Sequence, residues 1–167
     1  RQRQDDLEGL NRLSRALASS LDLEAVLNWS VEEIADATAP TSTIAIALLD
    51  ESQSEATFVA ARGLRASDIR VQSISLSALP SQLTSSLLEK REPFLVQDTS
   101  QLPPALIRLP IFADSQAAAV LPLATAERVI GALVLADTQG LLPAKSRLEW
   151  LQTCTNEIAL AVANARR

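Results

Sequence analysis

With 167 residues, 47% of them hydrophobic, the chain is long enough to bury a core as one domain and too apolar to be disordered over its bulk. Its net charge of −5 is mild, and its arginines gather only at the ends, at Arg1, Arg3, Arg12 and Arg15 and at Arg166 and Arg167, where they read as solvated helix surface and not as a nucleic-acid footprint. The lack of histidine and the single cysteine, Cys154, exclude Ser-His-Asp and Cys-His nucleophile pairs, histidine-held haem, the usual zinc sites, iron–sulfur clusters and an internal disulfide.

In chain order, Leu7, Leu10, Leu13, Leu17 and Leu21 recur at spacings of three and four and predict a first helix over about 5–20. Asp22 then serves as N-cap of a second helix reaching about Thr38. Its apolar face is Leu23, Val26, Leu27, Val31, Ile34 and Ala35, and Pro40 closes it. The apolar run 43–49 predicts a central strand covered on both faces; 50–55 is a turn, and 56–62 is the returning strand of a hairpin ended by Gly63. Val71, Ser73 and Ser75 alternate with Gln72, Ile74 and Leu76 as a further strand. Leu79, Leu83, Leu87 and Leu88 mark a helix to about Lys90, and after Pro93 comes a strand over 94–98.

Residues 99–114 carry Pro103, Pro104 and Pro110 and predict a loop with one helical turn, its apolar Leu106, Ile107, Leu109, Ile111 and Phe112 looking exposed. Two strong strands, 117–124 and 128–137, form a second hairpin, with Pro122 expected at a bulge or an edge because it lacks an N–H. Leu148, Leu151, Thr155, Ile158, Val162 and Ala165 predict the last helix over about 144–166. Trp29 and Trp150 lie on opposite terminal helices and are expected to pack them on the sheet.

Carboxylates are the remaining source of acid–base chemistry, but Glu32 and Glu33, Asp50 and Glu51, and Glu89 and Glu92 fall where solvated surface is the better reading. The glycines Gly9, Gly63, Gly131 and Gly140 are too scattered for a phosphate-cradling loop. The expectation is a domain that is not an enzyme and that holds no metal or other cofactor. No run of about eighteen apolar residues occurs, and a single cysteine fits a reducing, cytoplasmic setting. The chain starts at Arg1 and contains no methionine, so a single domain over 1–167, part of a larger protein, is expected.

Three stretches carry a family resemblance. KREPFLVQDTS has a strand entered through proline and left through Val-x-Asp-Thr; AAAVLPLATAERVIGALVLAD has a Pro-Leu, hairpin, Ile-Gly-x-Leu strand pair; NEIALAVANARR closes a helix on Ala-x-x-Asn-Ala-Arg. With the two opening helices, they make the chain resemble a GAF domain over nearly its whole length. The resemblance implies an α/β (α+β) fold, GAF/PAS-like, with a central antiparallel sheet of five or six strands and the N- and C-terminal helices packed on one face. It implies a regulatory sensory domain of a bacterial-type signalling protein, binding an unknown small molecule, relaying through its terminal helices to an output domain, or both. The alternative within the same fold is a ligand-free dimerisation or spacer domain; a third reading, a small-molecule enzyme, is set back by the absence of histidine and of a usable cysteine.

Where the family binds cyclic nucleotides it carries an Asn-Lys…Phe…Asp-Glu set that is missing here, and Cys154 in the final helix lies away from the place of a bilin attachment. The family's usual site lies between one sheet face and the segment after the second strand, here about 64–114. Leu79, Leu83, Leu87, Leu106, Ile111, Phe112 and Val120 either line a small apolar cavity there or fill it. Arg62, Arg65, Arg70 and Arg108 are the candidate cations for an acidic ligand, with surface placement as the plainer reading. For assembly, the expectation is a homodimer through Leu7, Leu10, Leu17, Ile158, Val162 and Ala165, because the last helix is apolar on more than one side. The alternative is that both sides are buried within one chain.

Overall fold

The computed structural model describes residues 23–63, 66–69 and 72–166. The predicted first helix with Leu7, Leu10 and Leu17, and the cap at Asp22, lie outside the described residues.

The elements run α1 (Leu23–Asp36), β1 (Ser42–Leu49), β2 (Glu55–Arg62), α2 (Ala66–Ile69), β3 (Ser73–Ser75), α3 (Ser81–Thr84), β4 (Phe94–Val96), α4 (Pro104–Ile107), β5 (Ala117–Ala124), β6 (Val129–Asp137) and α5 (Lys145–Ala165). The six strands form one sheet in the order β3-β2-β1-β6-β5-β4. Every pairing is antiparallel, as expected from the two hairpins.

Alternation along the central strands builds two different faces. Ile44, Ile46 and Leu48 of β1, Leu121 and Leu123 of β5, and Leu133 and Leu135 of β6 pack with Leu27, Val31 and Ile34 of α1 and Leu151, Ile158 and Val162 of α5. The opposite face is paved with small side chains: Ala45, Ala47, Ala118, Val120, Ala132, Val134 and Ala136. One layer is therefore sheet on long helices, filled by Ile and Leu. The other is sheet under the chain from α2 to the end of the 99–112 segment, where floor residues are short and the covering residues are large.

That covering chain departs from the sequence reading in two places. The expected helix over 79–90 is one α turn, Ser81–Thr84, followed by a π turn, Ser85–Glu89, in which the Lys90 N–H donates to the Ser85 carbonyl at 3.0 Å. The expected loop over 99–114 holds short helical turns at Thr99–Gln101, Pro104–Ile107 and Pro110–Phe112, and its Leu106, Ile111 and Phe112 are buried. Prolines at the first position of two of these turns favour them, since the missing N–H has no partner to lose there. Asp98 begins the run by accepting from the Ser100 N–H at 3.0 Å.

Pro122 sits where proline is tolerated. β4 pairs only with residues 118–120 of β5, so Pro122 lies beyond its partner on that side, and an irregularity follows at Leu123/Ala124. Its carbonyl accepts from Gln152 Nε2 of α5 at 3.3 Å.

Trp29 and Trp150 do not pin the helices to the sheet. They are 47% and 39% exposed, and Arg147 lies over the Trp150 ring at 5.3 Å. The helices are held instead by their leucine, isoleucine and valine faces. Ile158 and Val162 belong to that buried face, so within the single chain they are covered by the sheet, while Ala165 is partly buried.

Candidate ligand cavity

The small-residue face leaves room that the covering chain does not fill. A partly enclosed cavity of about 90 Å³ lies over β1, β5 and β6. Its floor includes Ala47, Val120, Gly131, Ala132 and Val134. The α3 turn and the π turn after it supply Leu83, Thr84, Leu87 and Leu88 to one wall; the 99–112 segment supplies Leu102, Leu106, Leu109 and Phe112 to another. Consecutive residues Leu87 and Leu88 both reach the wall, which the wider π turn permits; such turns recur at functional sites.

Six of the side chains singled out in the sequence, Leu79, Leu83, Leu87, Leu106, Phe112 and Val120, meet at this wall. Ile111 is buried in the same core without reaching the cavity. Arg62 and Arg108 are exposed and off the wall, and Arg65 and Arg70 lie outside the described residues. Apart from Val120, the sequence reading missed the floor. Ala47 and Ala132 carry no chemistry that marks a site, and their signal is the alternation of small with large residues along β1 and β6.

Among the described residues the wall has no ionisable side chain, and Thr84 is the one side chain there with a polar atom. The Thr84 hydroxyl donates to the Ser81 carbonyl at 3.1 Å. Such a site can hold a molecule by apolar burial; its described residues supply no group to move a proton. Among the described residues no group of three His, Cys, Asp or Glu side chains is placed to hold a metal ion.

The titratable groups with displaced equilibria lie elsewhere. Burial, then Glu157, push the Cys154 thiol up to about 11, and Cys154 packs against the core between sheet and long helices. At Asp137 burial raises the carboxyl pKa, but hydrogen bonds from the Leu141 N–H, Ser42, Thr41 and the Gln139 N–H outweigh it and hold the group below its ordinary range. A second cleft, about 470 Å³ but open to solvent, lies between the β5–β6 hairpin and α5. There Arg91 is already committed to the Thr125 carbonyl at 2.8 Å.

Comparison with known proteins places this architecture. No curated protein matches the chain. Solved structures do, among them three at 16–22% identity. The GAF domain from an Acinetobacter phosphoenolpyruvate-protein phosphotransferase is 22% identical over 96% of this chain and 94% of that one, with a TM-score of 0.70. The GAF domain/HD domain protein from Geobacter sulfurreducens is 18% identical over 90% of this chain and 97% of that one, at 0.73. The phycoerythrobilin-bound GAF domain of a cyanobacterial phytochrome is 16% identical over 94% of each chain, at 0.73. These likenesses show the fold. The family model described as GAF domain matches residues 20–163, and the chain belongs to the GAF domain family.

Proposed function

We propose that this domain is a regulatory sensory module of a bacterial-type signal-transduction protein in the cytoplasm, that it is not itself an enzyme, and that a small molecule in the cavity sets the pose of its long helices. The observation that carries this reading is the placement of the cavity on β1 and β6, whose other face holds α1 and α5. A molecule wedged against Ala47 and Ala132 presses on strands one backbone layer away from Leu151, Ile158 and Val162. Packed layers transmit such shifts because they do not compress. A ligand that prefers one pose of α5 then biases the output joined beyond it. Named relatives in structure fit that setting: one is a phosphotransferase domain and another a residue 122 to 287 fragment of a methyl-accepting chemotaxis protein. Among the described residues no helix is long and apolar enough to cross a membrane.

Native mass spectrometry of the 167-residue chain tests the reading. A co-purified small molecule, or a thermal midpoint raised by members of a metabolite library, is the expected result. A chain found only at its own mass, and whose midpoint no compound moves, counts against it.

A second reading, a homodimer that relays through its helices with no ligand, is favoured by one observation: Trp29, Trp150 and Leu160 are exposed on the outer sides of α1 and α5.

A further inference from the structure

We infer that the cavity takes an uncharged, apolar molecule of about benzene size or smaller and turns away anions. The inference rests on the sensory reading only in placing the ligand in this cavity.

Three observations carry it. The first is the wall's chemistry. Among the described residues a carboxylate or phosphate placed there finds no cation, since Arg62, Arg108 and Lys90 are exposed and off the wall, and the one hydroxyl is that of Thr84, already donating to Ser81. The strand backbone beneath is used up in pairing, with Ala132 facing Ala47 on one side and Pro122 on the other. A charge entering this space loses its water and gains no partner.

The second is size. The cavity of about 90 Å³ is well below the roughly 300 Å³ and upwards of pockets for drug-sized ligands. It is nearer the apolar cavity of about 150 Å³ that stays dry and accepts benzene or xenon. Ile74, Leu79, Phe94, Leu102 and Leu109 on its wall are only partly buried, so one side is open and an occupant need not be fully enclosed.

The third is Ala132. It lies on a central strand, covered by chain on both faces, yet it is not fully buried, whereas its strand neighbours Leu133 and Val134 are. Its exposure is exposure to the cavity, so the missing contact is at the floor, within reach of an added side chain.

The test is titration of the 167-residue chain with benzene, benzoate and cyclic AMP, followed by methyl NMR. Benzene is expected to shift Leu83, Leu87, Val120 and Val134, with benzoate weaker by at least about 100-fold. Ala132→Leu, which fills the floor, is expected to abolish the benzene shifts without lowering the thermal midpoint. Benzoate or cyclic AMP binding at these methyls as tightly as benzene overturns the ligand class and leaves the sensory reading standing. Benzene shifts that persist in folded Ala132→Leu overturn the location. A folded chain that binds none of the three overturns the proposal, and the metabolite-library experiment then decides the sensory reading separately.

Discussion

Gly131 of β6 lies so close to Ala47 of β1 that a Cβ at position 131 would run into the Ala47 carbonyl oxygen, with Leu48 Cδ2 3.2 Å away. The obstacle is backbone, so it cannot swing aside as a side chain would. The β1–β2 register is irregular at Ile46/Ala47, next to this contact, and Gly131 and Ala47 both belong to the cavity floor. Gly131→Ala is therefore expected to destabilise the chain by about 2 kcal/mol, as overpacking does, lowering the thermal midpoint by roughly 4–8 °C. A variant that melts with the unmodified chain would show that the two central strands separate freely here.

Asp137 ties the end of β6 to the start of β1. Its Oδ2 accepts from Thr41 and Ser42 hydroxyls, each at 2.8 Å, and its Oδ1 from the N–H groups of Gln139 at 2.7 Å and Leu141 at 3.0 Å. Because its pKa is lowered on folding, the stabilisation is fully present above the unfolded value of 3.8 and is lost as pH falls through the lower folded value. Asp137→Asn is expected to cost about 2 kcal/mol at pH 7 and to melt with a shallower acid dependence than the unmodified chain. Urea midpoints for both chains between neutral pH and about pH 3 decide it. Parallel acid profiles would mean that Asp50 and Asp98, also lowered by their hydrogen bonds, account for the acid limb.

Cys154, partly buried against the core, is expected not to behave as a reactive thiol. With its pKa at about 11, roughly one thiol in a thousand is ionised at pH 8. Labelling by a thiol-disulfide reagent at pH 8 should run far slower than with a small free thiol and speed up sharply in denaturant. Rapid labelling of the folded chain would contradict the raised pKa and partial burial of Cys154.

Much of the fold was legible because the strongest signals were long and periodic. The run Ser42–Leu49, the hairpin of β5 and β6, and the stripe Leu151, Ile158, Val162 each repeat a single packing requirement several times. The covering chain was harder. Its turns are three to five residues long, below the length at which a period can be seen, and its prolines suggest loop while here they start helical turns. Leu106, Ile111 and Phe112 looked exposed because nothing local shows that they reach across to β1 and β5. Ile69, fully buried on the short α2, was missed for the same reason. The cavity's large residues were recognisable as apolar candidates, whereas its floor depends on which face the small residues occupy, and that is fixed by register.

A glutamate at Ile158 or Val162 does not probe a helix interface, because these side chains are 8% and 0% exposed within the chain and lie against the sheet. Two carboxylates buried there without partners cost several kcal/mol, comparable to the whole stability of a domain this size. Changing both to Glu is expected to unfold the chain and to say nothing about dimers. The surface still open on the long helices is marked by Trp29, Trp150 and Leu160, with Leu160 58% exposed. Trp150→Glu with Leu160→Glu should leave the fold intact, since neither side chain supports the core. If two copies meet through this surface, sedimentation will find the unmodified chain dimeric at high micromolar concentration and the folded double variant monomeric. An unmodified chain that stays monomeric there rules out a dimer of this chain, and a variant that stays dimeric moves the interface away from α1 and α5.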